Sequence, residues 1–384
     1  MFNPDTLSSN IKKYRLQFAL TQQDLAQRLF VSAQAVSKWE SGQSQPDLAN
    51  LTALAKTFGI SVDTLLDCND RKVRMFLGID GGATKTEFVL VQQDGRVLFK
   101  LVLAGSNPNV CGIEETCRIL KSGIDTMLAR FHRIDGVFAG VAGFMSGDNL
   151  QNINTFIRSE YPFLPITCSS DICNVIYGAG DFEKCAAMIC GTGSVIYANT
   201  QGTLQRVGGW GYLLDSASGG FSLGREALRA ALAQEDGFGA ETSLTKLVED
   251  KLGKTVWSSI SDVYKCGDSY IASFAPLVFT AYTEGDSVAE NILCSFAKEM
   301  AKLLDYTLDA YDCQNTVVVS GGLMSRDLPL VGMLKSQLQH KAKIIVPETP
   351  PVYGACVRAC KLYGQINDTF CENFQNSYPT KSEE

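Results

Sequence analysis

The spacing of apolar positions divides the chain into two regions of different character. In the first seventy residues apolar side chains recur at helical spacing and no β-rich run appears, which predicts an all-α region. Thr21 and Ser32 are good N-caps, and Gly42 suits the left-handed residue that follows a helix. We therefore expect five helices: over 11–19, after Thr21, over 33–40, from Pro46 and Asp47 to Phe58, and over 62–66.

From Met75 onward, strand-like segments alternate with helices, which is typical of an α/β protein. Strands are predicted over 76–80, 87–92 and 96–103, followed by a helix over 113–131. A second strand series begins at 186–190 and 195–199, so the same arrangement occurs twice. We expect a helical domain over 1–67, a linker over 68–74, a two-lobed body over 75–366 and a flexible tail over 367–384. Lobe one is expected to comprise residues of about 75–170 plus the C-terminal helix, and lobe two residues of about 171–350.

Composition narrows the possible functions. A net charge of −7 gives no attraction of the whole molecule to nucleic acid or anionic lipid, so any DNA binding must be local. The thirteen cysteines contain no Cys-x-x-Cys pair, and the N-terminus has no charged-then-apolar signal segment. Apolar runs stay below the ~18 residues that a membrane span needs. We expect a cytoplasmic protein with reduced thiols and no membrane partner.

The N-terminal helices have the order of a DNA-reading helix-turn-helix, with 21–26 on the first helix and 31–40 on the second. Residues 8–67 resemble the Xre/Cro-type repressor family through Trp39-Glu40-Ser-Gly42, Pro46 and the ending over 60–66. The resemblance implies an operator DNA partner. It also implies that Gln34, Ser37 and Lys38 of the recognition helix point toward bases or phosphates. Gln22, on the preceding helix, would contact the DNA backbone.

The alternative is a helical bundle that contacts proteins. Residues 1–70 carry six basic and seven acidic side chains, so the electrostatic contribution to DNA affinity is weak. We therefore expect a homodimer on a two-fold operator. Trp39, Val36, Leu25 and Leu48 are predicted to be core residues.

Three glycine-rich turns follow predicted strands, at 80–86, 190–194 and 320–322. Glycines let backbone amides converge on an oxyanion, threonine hydroxyls add donors, and Asp80 could hold water on Mg²⁺. A single such turn could be an ordinary hairpin, but two of them, one in each half, suggest a clamp around a nucleotide. The candidate ATP ligands are Gly81, Gly82, Thr84, Lys85, Gly191, Thr192, Gly193, Ser194, Gly321 and Gly322.

These turns together resemble the actin/hexokinase/heat-shock ATPase superfamily, whose two lobes close over ATP. Within it the chain is similar to the BadF/BadG/BcrA/BcrD ATPase family and its N-acetylglucosamine kinase branch. The motifs that carry the likeness lie at 78–86, 105–107, 140–143, 190–194, 208–214, 224–227, 320–322 and 350–355. The resemblance implies ATP and Mg²⁺ as cofactors and an amino-sugar ligand lined by Asn107, Gly209, Trp210 and Gly211. For the Trp210 motif, the alternative is a tight turn around a core indole.

The acidic residues of the branch are altered here. Met145 stands where characterised amino-sugar kinases have an aspartate, and Ala217 stands at the position of a family glutamate. Asp171 is the best candidate for the base that accepts the sugar hydroxyl proton, with a helix N-cap as the alternative role. Asp215 is a second catalytic candidate and also a sugar ligand.

Two functions therefore remain open at this point. The first is an ATP-dependent amino-sugar kinase coupled to transcription, and the second is a kinase-shaped sensor that binds sugar or ATP without chemistry. A third family function, an activase with an iron–sulfur cluster, would need cysteines such as Cys168, Cys173, Cys185 and Cys190, which we expect to be buried structural thiols instead.

Overall fold

The computed structural model describes residues 4–18, 20–66, 74–180, 182–217 and 219–379, and it confirms a helical N-terminal domain followed by an α/β body. The N-terminal helices are α1 (Pro4–Gln17), α2 (Gln22–Leu29), α3 (Ala33–Glu40), α4 (Leu48–Thr57) and α5 (Val62–Leu66). Thr21 forms a reciprocal capping box with Asp24, and Ser32 accepts a hydrogen bond from the backbone of Ala35. The linker predicted over 68–74 lies, except for Arg74, outside the described residues.

The core of the helical domain contains Leu25, Val36 and Trp39, as predicted. The prediction for Leu48 is wrong, because 76% of this residue is exposed to solvent. Leu48 is the first residue of α4, directly after the cap residue Asp47, and Pro46 is the residue of this segment that is buried.

Lobe one is built on a five-stranded sheet in the order β3-β2-β1-β4-β5. Its strands are β1 (Met75–Gly81), β2 (Lys85–Gln92), β3 (Val97–Ala104), β4 (Gly136–Val141) and β5 (Ile166–Ser169). The connecting helices are α6 (Pro108–Cys111), α7 (Ile113–Phe131) and α8 (Asn149–Glu160). Strands β1 to β3 form an antiparallel meander, whereas β4 and β5 run parallel to β1.

Lobe two repeats this arrangement, with the strand order β10-β9-β6-β7-β8. Its strands are β6 (Lys184–Cys190), β7 (Ser194–Thr200), β8 (Thr203–Val207), β9 (Thr316–Ser320) and β10 (Lys343–Ile345). The remaining helices are α9 (Ile172–Ala179), α10 (Gly220–Glu235), α11 (Leu244–Leu252), α12 (Ile260–Ala272), α13 (Ala275–Thr283), α14 (Ser287–Ala310), α15 (Leu330–Gln337), α16 (Pro351–Tyr363) and α17 (Phe370–Ser377). The duplication expected from the sequence is therefore present, and β1 and β6 occupy equivalent central positions.

Helices α9 and α16 join the two lobes. Gly354 of α16 lies so close to α9 that a Cβ atom there would come within 1.8 Å of the carbonyl oxygen of Asn174. The other side of α16 packs on β1, where a Cβ at Gly78 would meet the Cys356 nitrogen at 2.6 Å. Apolar residues of α9, including Ile172 and Ile176, pack with β6, β7 and β9 of lobe two. The junction is thus held by close backbone contact on one side and apolar packing on the other.

The described part of the tail that was expected to be flexible over 367–384 contains a packed helix. Residues 370–377 form α17, and Phe370 and Phe374 are buried against Tyr353 of α16. Two phenylalanines four residues apart lie on one face of a helix, which gives this short segment an apolar anchor. Residues 380–384 lie outside the described residues.

Candidate functional site

The first glycine turn lies against the strand end that carries Asn107. The Gly82 carbonyl accepts hydrogen bonds from the backbone nitrogens of Ser106 and Asn107, at 3.1 and 3.2 Å. Gly105 must lack a side chain here, because a Cβ would lie 2.0 Å from the carbonyl oxygen of Ala83. Thr84 and Lys85 are exposed on the turn. The fold therefore brings the predicted phosphate turn and the predicted sugar residue Asn107 together.

The second glycine turn is held by the start of α10. Gly220 donates its backbone N–H to the Gly191 carbonyl at 2.7 Å, and Phe221 donates to the Thr192 carbonyl at 3.0 Å. The Ser194 hydroxyl donates to the Ala217 carbonyl at 2.8 Å, so it stabilises the turn. Thr192 and Gly193 are exposed to solvent.

The predicted nucleotide glycines fall into two groups. A Cβ at Gly191, Gly193 or Gly322 would meet no atom within 4 Å. The backbone at these glycines therefore borders open space, into which a phosphate or nucleoside group would fit. Gly81 and Gly321 are packed instead, and a Cβ there would lie 2.5 Å from the Ser106 hydroxyl and 2.2 Å from the Cys190 carbonyl. The described residues therefore fit a nucleotide, with Gly81 and Gly321 shaping the turns rather than bordering open space.

Asp80 and Asp171 lie near each other where the lobes meet. Asp80 is at the carboxyl end of β1, and its Oδ1 accepts a 2.6 Å hydrogen bond from the Asn174 side chain of α9. Burial raises the pKa of Asp80 to about 7, opposed by the Asn174 hydrogen bond and assisted by the charge of Asp171. A carboxylate at this position is a suitable oxygen donor for Mg²⁺.

Asn174 was not predicted from the sequence. Its Nδ2 also donates to the Gly140 carbonyl at 3.0 Å, whereas its Oδ1 has no hydrogen-bond partner among the described residues. A Cβ at Gly140 would lie 2.1 Å from that Oδ1, so the glycine makes room for the amide. The spacing from Asp171 to Asn174, one helical turn, was the only available signal.

The structure does not support the N-cap role considered for Asp171. Asp171 precedes α9, but it has helical backbone angles and its side chain makes no capping hydrogen bond. The carboxylate instead accepts a hydrogen bond from the Ser170 hydroxyl at 2.9 Å. Burial raises the pKa of Asp171, and the Ser170 bond opposes this effect. A raised pKa makes the ionised carboxylate a better proton acceptor than an ordinary aspartate.

The Trp210 turn lies in lobe two and carries exposed apolar side chains. The indole of Trp210 is 62% exposed and stacks under the Arg206 guanidinium at 4.4 Å, so the core-indole alternative is wrong. Asp215 accepts a hydrogen bond from the Gly211 backbone at 2.9 Å and donates its own N–H to the Gly211 carbonyl. Asp215 therefore closes the turn that contains Gly209, Trp210 and Gly211.

Asn107, in lobe one, caps α6 and borders the loop with the altered acid. Its Oδ1 accepts a hydrogen bond from the backbone of Asn109 and lies beside Gly143. The Asn149 side chain donates to the Gly143 carbonyl at 3.0 Å. Met145 in this loop is exposed, and Ala217, at the second altered position, is buried.

The iron–sulfur alternative finds no support in the described part of the chain. Cys168, Cys173, Cys185 and Cys190 are buried free thiols, and no group of three potential metal-ligating side chains occurs among the residues that the structure describes. Burial raises the pKa of all four thiols, to about 12 for Cys190. These cysteines behave as small apolar core residues, as expected.

The recognition helix α3 leaves its predicted DNA-contacting side chains free. Gln34, Ser37 and Lys38 are exposed, while Val36 and Trp39 on the same helix are buried. Gln22, predicted to reach the DNA backbone, donates its side-chain N–H to Glu40 at 2.9 Å. Because Glu40 also accepts hydrogen bonds from Arg15, the side chains of Arg15, Glu40 and Gln22 form a network that fixes the position of Gln22.

Comparisons with known proteins agree with this two-part organisation. Residues 77–359 match the model of the BadF/BadG/BcrA/BcrD ATPase family, and residues 11–65 match a helix-turn-helix model. An N-acetylmuramic acid/N-acetylglucosamine kinase of Clostridium acetobutylicum is 28% identical over 301 residues, covering 75% of this chain and 98% of the relative. The HTH-type transcriptional activator BcrR of Enterococcus faecalis is 39% identical over 59 residues, covering 15% of this chain and 29% of that protein.

A solved structure shares the fold of the α/β body. It is that of a candidate N-acetylglucosamine kinase from Porphyromonas gingivalis, with a TM-score of 0.60 at 17% identity, covering 74% of this chain and 97% of the other. Among the described residues, no helix has both the length and the apolar character needed to cross a membrane.

Proposed function

The chain belongs to the BadF/BadG/BcrA/BcrD ATPase family and joins that domain to a DNA-binding helix-turn-helix, and from this we propose that it phosphorylates an amino sugar with ATP and regulates transcription. The observation that carries the proposal is that Asp80 and Asp171 lie near enough for their charges to interact, at the junction of two lobes, each of which supplies a glycine turn. The substrate class is N-acetylglucosamine or a related cell-wall amino sugar, in keeping with the kinase relative.

In this proposal, each residue type has a separate task. The Gly193 backbone amide and the hydroxyls of Thr84 and Thr192 donate to phosphate oxygens, while the Gly191 N–H holds the turn by donating to the Gly193 carbonyl at 2.8 Å. Asp171 orients the attacking sugar hydroxyl and accepts its proton, which its raised pKa favours. Asp80 is the residue that would hold Mg²⁺, and bound Mg²⁺ neutralises charge on the phosphates. Asn107 and the Trp210 turn approach the sugar from opposite lobes.

The kinase is tested with a coupled assay that measures ADP release from Mg²⁺–ATP with a panel of amino sugars. Asp171→Asn is expected to lower kcat by at least a hundredfold while ATP and sugar still bind. Asp148→Asn is the matched control, because Asp148 is an exposed aspartate near the altered position 145 and makes no capping bond. Equal activity of Asp171→Asn and wild type would contradict the assignment.

A second candidate function is a sensor that binds sugar and ATP without transferring phosphate. The observation that favours it is the presence of Met145 and buried Ala217 at two positions where the kinase branch has acids. Methionine cannot accept a proton, so turnover could be lost while binding remains. Sugar-induced thermal stabilisation without ADP release would identify the sensor, and the absence of both would contradict both candidates.

DNA binding is tested separately, with a labelled duplex from the region upstream of the protein's own gene. Gln34→Ala combined with Lys38→Ala is expected to abolish the gel shift without changing ATP binding, because both side chains project from the exposed face of α3. Lys56→Ala removes the same charge from α4 and serves as the control. We expect the binding species to be a homodimer, because a domain with little net positive charge needs two half-sites.

A further inference from the structure

The helix-turn-helix domain contacts lobe one at the aromatic ring of Phe163. Phe163, in the loop between α8 and β5, packs on Phe18 with 4.6 Å between the ring centroids. Phe18 in turn packs on the buried Phe58, at 5.6 Å. Phe163 is 46% exposed, so roughly half of it is covered.

Gly59 also contacts the Phe163 ring. A Cβ at Gly59 would lie 2.5 Å from the Phe163 Cδ2 atom, and its φ of +62° also disfavours any other residue. The bare backbone at Gly59 and the Phe18 ring thus form a notch that the Phe163 side chain fills. On α3, Gln34, Ser37 and Lys38 stay exposed, so this contact does not cover the DNA-reading residues.

The loop that carries Phe163 is fixed to the rest of lobe one. The Tyr161 hydroxyl donates to Asp125 of α7 at 2.6 Å, and the Pro165 carbonyl accepts from the Val137 backbone of β4 at 2.8 Å. The loop also contains two prolines, which restrict its backbone. Because the loop is anchored and stiff, we expect a displacement of α8 or β5 to move Phe163 with it.

Both elements next to this loop lead to the candidate site. Helix α8 begins at Asn149, which bonds the Gly143 carbonyl beside Asn107, and it ends three residues before Phe163. Strand β5 begins three residues after Phe163 and ends two residues before Asp171. The α8–β5 unit, residues 149–169, thus has its two chain ends at the candidate site, which we call the cleft (Asn107, Asp171 and the glycine turns 80–86 and 190–194), and its Phe163 loop at the helix-turn-helix domain.

We propose that Phe163 docks the helix-turn-helix domain onto lobe one, and that the α8–β5 unit couples cleft occupancy to the docked state. Only seven residues separate α5 from Arg74, so the effective concentration of one surface at the other is high and a small contact suffices. Coupling requires that ligand binds the docked and undocked states differently. It must also be reciprocal, so that DNA changes ligand affinity by the same factor as ligand changes DNA affinity. The coupling rests on the proposed ligand binding, whereas the docking does not.

The docking is tested on the full-length protein by hydrogen–deuterium exchange without ligand. Phe163→Ala is expected to speed exchange in residues 55–60 at least threefold relative to wild type. Phe163→Tyr keeps the ring and should restore protection, and Phe238→Ala removes a phenylalanine that is 79% exposed in lobe two and should have no effect. Unchanged exchange at residues 55–60 in Phe163→Ala overturns the docking.

The coupling is tested with Mg²⁺–AMPPNP plus N-acetylglucosamine or N-acetylmuramic acid as probes. In the wild type, the probes are expected to change DNA affinity about fivefold or more, and DNA to change probe affinity equally. In Phe163→Ala both ratios should fall to within twofold of one, with probe and DNA binding retained. Protection of the cleft peptides 80–86 and 190–194 with no change in DNA affinity overturns the coupling while leaving the proposed function intact. If no probe protects the cleft, the proposed function and the coupling both fail, and the docking is still decided by the ligand-free comparison.

Discussion

The ion pair between Arg15 and Glu40 offers a quantitative test of the helix-turn-helix domain. The Arg15 Nε atom lies 2.5 Å from one Glu40 oxygen and its second terminal nitrogen lies 3.0 Å from the other. The two side chains are only 10% and 4% exposed. Glu40→Gln keeps the shape but leaves the Arg15 charge buried without a counter-ion, and it also weakens the bond from Gln22.

The expected cost is large relative to the stability of the domain. Breaking one partner of a buried ion pair costs about 3–5 kcal/mol, whereas a domain of about 60 residues has a total stability of about 3–9 kcal/mol. Urea titration followed by tryptophan emission reports this domain, because Trp39 is buried whereas Trp210 and Trp257 are exposed. We expect Glu40→Gln to shift the midpoint of the unfolding transition reported by Trp39 to a much lower urea concentration and to abolish DNA binding.

Two further variants identify the cause. Glu115→Gln breaks an exposed pair with Arg118, in which the side chains are 37% and 67% exposed, and should cost about 0–1 kcal/mol. Arg15→Met combined with Glu40→Leu removes both charges and should recover most of the stability. The reasoning is refuted if Glu40→Gln lowers the stability reported by Trp39 by no more than the roughly 0–1 kcal/mol that an exposed ion pair contributes. Burial raises the pKa of Glu40, but the bonds from Arg15 and Gln22 outweigh it and hold the pKa below 4.5, so this contribution is lost as the pH falls below that value.

Three further results are expected. Phe374→Ala should destabilise the protein by about 3–5 kcal/mol in thermal or urea unfolding, because this ring is fully buried in α17, and a flexible tail would instead give no change. Gly140→Ala should weaken Mg²⁺–ATP binding measured by calorimetry, because the new methyl group displaces Asn174 from Asp80; unchanged affinity would separate Asn174 from the site. If phosphate transfer is observed, the acid limb of the kcat–pH profile should lie above the ordinary aspartate pKa of 3.8, because burial raises the pKa of Asp171 and the residue must be ionised to accept a proton; a limb at or below 3.8 would contradict this role.

Most of the fold could be predicted from the sequence because local signals, such as helix caps and apolar spacing, agreed with one another. Thr21 and Ser32 cap the helices that they were expected to cap, and α7 spans 113–131 as predicted. The tail was missed because its signal is only two phenylalanines, and their burial depends on Tyr353, far away in the sequence.

The candidate site was predictable to a lesser degree. Glycine turns and Asp171 stand out in the sequence, but the division between packed Gly81 and open Gly191 depends on which strands lie beside them. Asn174 was missed because its partners, Asp80 and Gly140, come from two different strands. The Phe18–Phe163 contact joins two domains, and neither ring carries a local signal of its partner.

Helix α17 has a consequence for the solubility of the protein. Strand β3 lies at the edge of its sheet, where unpaired backbone groups can recruit a strand from another molecule. The Val97 N–H donates to the Ser377 hydroxyl at 2.8 Å, so the C-terminal helix occupies a group that would otherwise be available for intermolecular pairing. Shortening the chain before residue 370 would uncover this edge together with the apolar surface beneath it, and the truncated protein should aggregate even where its candidate site is intact.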